Sequence, residues 1–266
     1  MEYKDKALAP RKSMDDAFVA ILVCDTPIDV LREFGDFGDQ AIALFRAAGM
    51  ADTSFRKYDV ISKMEYPTAE ELQRCQGLYL TGSRSDAFAS SPWINRLREF
   101  VSMCLREYEF PITASCFGHQ LVATALGLAV GRSPHGWEMG LAQVQINSAI
   151  NLRPLISNSG ENNFTVMEMH QDEVLTNPAN LPPSYMNVGS SAVCRCQGLY
   201  KKHRVLTFQG HPEFTTACGE VLVESRRRAG QVDDALYNDA KSRNSSLSND
   251  GIAIGRCMVE LFHGRL

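Results

Sequence analysis

The stretch Pro111-Ile112-Thr113-Ala114-Ser115-Cys116-Phe117-Gly118-His119-Gln120-Leu121-Val122-Ala123 changes character at its centre. Pro111 to Ser115 reads as a strand, and Phe117 to Leu126 as the helix that follows it. Cys116 stands at the joint, at a helix N-terminus where negative charge is favoured. The small residues Ala114 and Gly118 let the backbone turn tightly beneath it. Such a turn exposes a nucleophile and leaves the next backbone N–H free to meet an oxyanion. Taken alone, a cysteine between strand and helix is better read as a buried structural residue.

The same alternation runs outward in both directions. Ala17 to Cys24 is an apolar run without helical period, ended by Asp25, Thr26 and Pro27. Asp39 to Ala48 has helical spacing and stops at Gly49. Phe55 to Ile61 and Gly77 to Leu80 read as strands, the latter running into Thr81-Gly82-Ser83. Pro92 to Glu107 reads as a helix with Ser91 as its N-cap, Pro92 first, and Leu97, Phe100, Val101 and Leu105 on one face. Further on, Leu141 to Ile146, Phe164 to Met169, Ala192 to Cys196 and Arg204 to Phe208 carry strand signals. Phe214 to Arg228 and Gly251 to Phe262 are helical. Asp239 to Asp250 is rich in Ser and Asn and reads as a polar loop.

Strands alternating with helices give an α/β fold, with helices packed around a largely parallel central sheet. Sites in such sheets form at the carboxyl ends of the strands. Loops leaving strand ends at Gly82, Cys116 and His211 are therefore the candidates. The chain divides into a polar leader at 1–16, a catalytic domain at 17–230 and a helical extension at 231–266 that contains the polar loop.

The 266 residues are 44% hydrophobic, ample for a sizeable core. With 27 Lys and Arg against 31 Asp and Glu, the net charge of −4 gives no electrostatic case for a nucleic-acid or membrane partner. No apolar run approaches the roughly 18 residues of a membrane span. The leader lacks the apolar stretch of a secretory signal. Eight cysteines lie mostly in apolar runs, where a free thiol packs as a small hydrophobe. A reducing, cytoplasmic setting is expected. Cys194 and Cys196 lack two further ligands for a metal site and read as core residues sharing one strand face. No metal and no cofactor are expected.

A second chemical segment is Thr207-Phe208-Gln209-Gly210-His211-Pro212-Glu213-Phe214. A strand ends there and a helix begins. A histidine can take a thiol proton, and a carboxylate on its other ring nitrogen fixes the tautomer.

Taken together, these segments resemble class I glutamine amidotransferases. The segment around Cys116 is similar to their Gly-x-Cys-x-Gly-x-Gln elbow, and Gly210-His211-Pro212-Glu213 to their His-Pro-Glu signature. Thr81-Gly82-Ser83 resembles the oxyanion loop. Gly136-Trp137-Glu138-Met139-Gly140 resembles the Gly-Trp-Glu-x-Gly stretch of the stand-alone branch, which includes the γ-glutamyl peptidases. His170-Gln171-Asp172-Glu173-Val174 resembles the His-x-Asp-x-Val loop. The resemblance runs from Ala17 to Arg228, and several motifs in order are far more specific than one.

The resemblance implies a flavodoxin-like three-layer sandwich and a Cys116, His211, Glu213 triad. Cys116 attacks a γ-glutamyl carbonyl, His211 moves the proton and Glu213 orients His211. Backbone N–H groups of Gly82 and Phe117 hold the oxyanion, while Gln120, His170 and Gln171 bind the glutamyl group. The substrate is a small γ-glutamyl compound: glutamine, glutathione or a glutathione conjugate. The alternatives are a glutaminase subunit feeding ammonia to a separate synthetase or other biosynthetic enzyme, and a non-catalytic binding or regulatory protein on the same fold.

Ala114 and Ser115 depart from the family elbow, which has glycine and a small apolar residue there. For Ser115 the preferred reading is a hydrogen bond to nearby backbone; altered substrate choice is the other. His119 reads as structural. His135, in a Pro/Gly-rich loop, fits both a site lining and plain surface. Arg226 to Arg228 read as a solvated helix end.

Overall fold

Phe18, Val19, Ala20, Ile21 and Leu22 are all fully buried. Only a strand covered on both faces accommodates such a run. Alternate residues face opposite ways: Val19 and Ile21 join one hydrophobic cluster, and Phe18, Ala20 and Leu22 the other. Two cores on two faces of one sheet make a three-layer sandwich. This is the architecture of a computed structural model that describes residues 17–152 and 162–266. The leader at 1–16 lies outside the described residues.

The first half runs β1 (Phe18–Val23), α1 (Phe37–Ala47), β2 (Ser54–Asp59), α2 (Ala69–Leu72), β3 (Cys75–Leu80), α3 (Pro92–Glu107), β4 (Ile112–Ser115) and α4 (Phe117–Ala125). The chain continues through β5 (Val130–Arg132), β6 (Glu138–Ile146), β7 (Asn163–His170), β8 (Asp172–Val174), β9 (Met186–Asn187), β10 (Gly189–Ser190), β11 (Leu199–Lys201) and β12 (Val205–Phe208). It closes with α5 (Thr216–Arg228), α6 (Asp234–Ser246) and α7 (Gly251–Phe262).

The main sheet has the order β2-β1-β3-β4-β12-β11-β9. Its first four pairings are parallel and its last two antiparallel. Helices α1 and α7 cover one face through Ala41, Phe45, Ile254 and Met258. The other face packs α3 and α4 through Leu97, Val101, Leu121 and Val122. Apart from the smaller Ala41, each such side chain contributes roughly 1.5–3 kcal/mol on burial. A second sheet, β10-β6-β7, is antiparallel, and β5 pairs with β8. The second sheet meets the main one at the site, where the His211 N–H donates to the Met167 carbonyl at 2.8 Å.

Two local readings are corrected. Ala192 to Cys196 forms no strand; this segment is a turn in which the Ser191 hydroxyl accepts from the Val193 and Cys194 N–H groups. Cys194 and Cys196 are nonetheless fully buried. The polar stretch from Asp239 lies for the most part in helix α6, capped by the Asp233 carboxylate on the Leu236 N–H at 2.8 Å. Its polar residues serve strand β6: Asn244 Oδ1 accepts from the Leu141 N–H at 2.7 Å, and the Arg243 guanidinium donates to the Met139 and Leu141 carbonyls. An element that packs by hydrogen bonds shows no apolar stripe.

Candidate active site

Strands β3, β4 and β12 are parallel neighbours, so their carboxyl ends lie on one edge of the sheet. The segments that follow them carry Gly82, Cys116 and His211. Cys116 has φ +46° and ψ −110°, a conformation that costs a non-glycine residue on the order of 1–3 kcal/mol. Its N–H donates to the Phe208 carbonyl at 2.9 Å, which ties the turn to the end of β12. Helix α4 starts at Phe117, and its first-turn N–H groups have no acceptors within the helix. Gly118 is required beneath the turn, because a Cβ there would lie 2.6 Å from the Leu80 carbonyl oxygen. Ala114 lies in ordinary strand backbone, where its methyl group is tolerated.

His211 donates through Nδ1 to Glu213 Oε1 at 2.8 Å. The Cys116 side chain is close enough to the ring for the two to interact electrostatically. Since Nδ1 is taken by Glu213, Nε2 is the nitrogen left for sulfur. Phe214 stacks flat on the imidazole, with centroids 4.0 Å apart and planes 4° apart. Gly82 closes in on the ring as well: a Cβ at that position would sit 2.6 Å from His211 Cε1. Burial disfavours the imidazolium, but the Cys116 sulfur and the Glu213 carboxylate outweigh it and raise the His211 pKa to about 10.

The Ser115 hydroxyl donates to Glu213 Oε1 at 2.9 Å and lies 2.8 Å from the Tyr79 hydroxyl. Its hydrogen bond goes to a side chain, not to backbone as its sequence position suggested. One serine proton serves the carboxylate, so Tyr79 is the donor to Ser115.

A cavity of about 190 Å³ opens beside Cys116, and its walls include Arg84, Gln120, Trp137, Gln171, Arg226 and Gln231. Gln120 donates to the Asp172 carbonyl at 2.8 Å and to Gln209 at 3.1 Å, so it also holds the neighbouring loop. Met169, His170 and Asp172 complete that side. Arg84 makes a two-pronged pair with Asp25, and Arg132 pairs with Asp172 at 2.7 Å and Asp86 at 3.3 Å.

The His170 ring turns inward. Nδ1 donates to the Asp172 carbonyl at 3.0 Å, while Nε2 lies 3.0 Å from Glu138 and 3.2 Å from Glu168. Burial opposes charge on this ring, but the two carboxylates prevail and hold its pKa well above the usual value. Burial in turn pushes Glu168 up to about 7. Among the described residues, Glu138, Glu168 and His170 are the group with donor atoms spaced for a metal ion. With both ring nitrogens protonated, the imidazolium itself supplies the positive charge between the carboxylates.

Residues 56–223 match the model of the family described as Glutamine amidotransferase class-I. The chain belongs to the class I glutamine amidotransferase family. A Saccharomyces cerevisiae protein provisionally named a glutamine amidotransferase is 33% identical over 255 residues, 92% of this chain and 96% of that one. Gamma-glutamyl peptidase 2 of Arabidopsis thaliana is 30% identical over 214 residues, covering 80% and 82% of the two chains. A glutamine amidotransferase structure from Thermotoga maritima superposes with TM-score 0.66 at 19% identity, over 92% of this chain and 98% of that one, and shows the shared fold.

Of the residues singled out in the sequence, Cys116, Gln120, His170 and Gln171 line one cavity, Phe117 opens the helix after Cys116, Gly82 lies against the His211 ring and Glu213 holds its Nδ1. His119 is fully buried, 2.8 Å from Thr207 through Nδ1, and burial, with His170 beside it, pulls its pKa down to about 3. His135 is exposed and does not line the cavity. Arg226 is a correction: it reaches into the cavity over the Trp137 ring, 5.1 Å from the centroid. Tyr79, Phe214 and Arg226 carry no motif of their own. Helical periodicity could have placed Arg226 on a face, but not that face against Trp137.

Proposed function

We propose that this amidotransferase relative is a cysteine-dependent hydrolase of γ-glutamyl amides that works through a γ-glutamyl thioester. The single observation that carries the reading is the strained Cys116 turn beside a His211 that Glu213 holds at 2.8 Å.

The steps follow from the placement of the groups. His211 takes the Cys116 proton, and sulfur attacks the γ-carbonyl carbon. The N–H groups of Gly82 and Phe117 receive the oxyanion. His211 then protonates the departing amine as the carbon–nitrogen bond breaks. Water, deprotonated by the same imidazole, attacks the thioester and releases glutamate. Glu213 keeps the Nδ1 proton in place throughout and stabilises the imidazolium. Gln120, His170 and Gln171 form the wall that holds the glutamyl end, with His170 acting through its loop because its ring is committed to Glu138 and Glu168.

The test is released glutamate from glutamine, from γ-glutamyl dipeptides, from glutathione and from a glutathione S-conjugate, with Cys116→Ala as control. Cys116-dependent release from the peptides supports a stand-alone peptidase. Release from glutamine alone indicates an ammonia-supplying subunit with a separate synthetase. Release from none of them sinks the proposal and favours a binding or regulatory role.

A further inference from the structure

The charges around the cavity do not cancel in pairs. Arg84 is matched by Asp25, and Arg132 by Asp86 and Asp172. Arg226 has no carboxylate partner among the described residues; its Nη1 donates to the neutral Gln231 side chain at 2.7 Å. It rises from α5, lies over Trp137, and is close enough to Cys116 for the two to interact electrostatically. Burial and the nearby Arg84 work against its charge and outweigh the support from Asp25, which is already paired with Arg84, and from Cys116. A half-buried guanidinium with no carboxylate in ion-pair contact, beside a nucleophile and on an aromatic platform, is the arrangement that binds a carboxylate.

Glutamine offers no group for it. Its leaving group is ammonia, and its single carboxylate belongs to the glutamyl end, placed above against the loop at Gln171. We infer that Arg226 receives a carboxylate borne by the leaving half, so that the site is built for short γ-glutamyl peptides with a free C-terminus. This rests on the reading of the site as a γ-glutamyl hydrolase. It adds a subsite formed by Trp137, Arg226 and Gln231 in the cavity that Gln171 also lines. Arg226 could instead act only on the charge of Cys116, but that effect is blind to the far end of the substrate.

The experiment is isothermal calorimetry on full-length Cys116→Ala protein, which cannot turn substrate over. The probes are γ-glutamylglycine and γ-glutamylalanylglycine, each beside its C-terminal amide. At least one free acid is expected to bind about tenfold or more tighter than its amide, the range for a charge-assisted pair. Adding Arg226→Gln should erase that difference, and Arg226→Lys should keep part of it, which separates recognition from damage to the fold. Equal binding of acid and amide by the Arg226 protein would overturn the inference. So would a Gln variant that weakens both equally, since Arg226 would then serve the glutamyl end or Cys116. Discrimination in binding without turnover by the unmodified enzyme would leave the subsite standing while the hydrolase reading fails.

Discussion

Ser115 Oγ donates to Glu213 Oε1 at 2.9 Å, on the same oxygen that accepts from His211 Nδ1. Oε2 of that carboxylate is buried with no partner among the described residues. The position of Glu213 is therefore set by two bonds to a single atom, and the line Tyr79, Ser115, Glu213, His211 is continuous. Ser115→Ala removes one of the two. It should lower kcat about tenfold with little change in KM, because a net hydrogen bond to a charged group is worth about 1.5–3 kcal/mol and only part of that reaches the transition state. Tyr79→Phe, one bond further out, should have a smaller effect in the same direction. Steady-state kinetics on both variants checks this; a Ser115→Ala enzyme with unchanged kcat contradicts it.

The His211 pKa gives a second prediction. Burial lowers it, while Cys116 and Glu213 raise it to about 10 overall, with Cys116 the foremost raising group. A folded pKa above the unfolded value adds stability that is complete below about 6.5 and lost as pH rises through about 10. Replacing Cys116 with alanine removes the leading raising group, so the imidazole should titrate at lower pH. Nitrogen-detected NMR of the His211 ring in both proteins measures the shift, and an unchanged midpoint counts against the pairing.

Gly82 is a steric prediction. A methyl group there would meet His211 Cε1 at 2.6 Å, and Phe214 is stacked on the same ring. Gly82→Ala should therefore displace the imidazole and lower kcat on the order of 100-fold, the usual cost of a misplaced catalytic group. A circular dichroism spectrum like that of the parent would show the loss to be local. Full activity in the alanine variant would mean that the ring does not need its present position.

The fold was legible where burial wrote it. β1 is apolar on both faces because two helix layers cover it, and the Pro92 to Glu107 helix carries both its N-terminal proline and its apolar face in sequence. The loops at Gly82, Cys116 and His211 were legible because they leave the ends of adjacent parallel strands. What was not legible was pairing at long range. Ser115 and Glu213 are 98 residues apart, and Asn244 and Leu141 are 103. Nothing local in Ser-Cys or in an Asn/Ser-rich helix announces a partner of that kind. Arg226 was misread for the same reason: an arginine run looks solvated until the tertiary fold sets Trp137 beneath one member of it.

Helix α6 supplies a stability prediction. Asn244 Oδ1 is the acceptor for the buried Leu141 N–H at 2.7 Å, on the strand that continues from Trp137 and Glu138. Asn244→Ala leaves that N–H unsatisfied and should cost about 1–3 kcal/mol. Urea unfolding should give a lower midpoint at an unchanged slope, and an unchanged midpoint would show that α6 does not brace β6.

The most direct test of the account is to trap the covalent intermediate. Protein mixed with a γ-glutamyl peptide, quenched in acid and analysed by intact and peptide mass spectrometry should carry one glutamyl group, mapped to Cys116 and absent from Cys116→Ala. Glutamate release at the parent rate by Cys116→Ala, or a glutamyl group carried on any other residue, would contradict it.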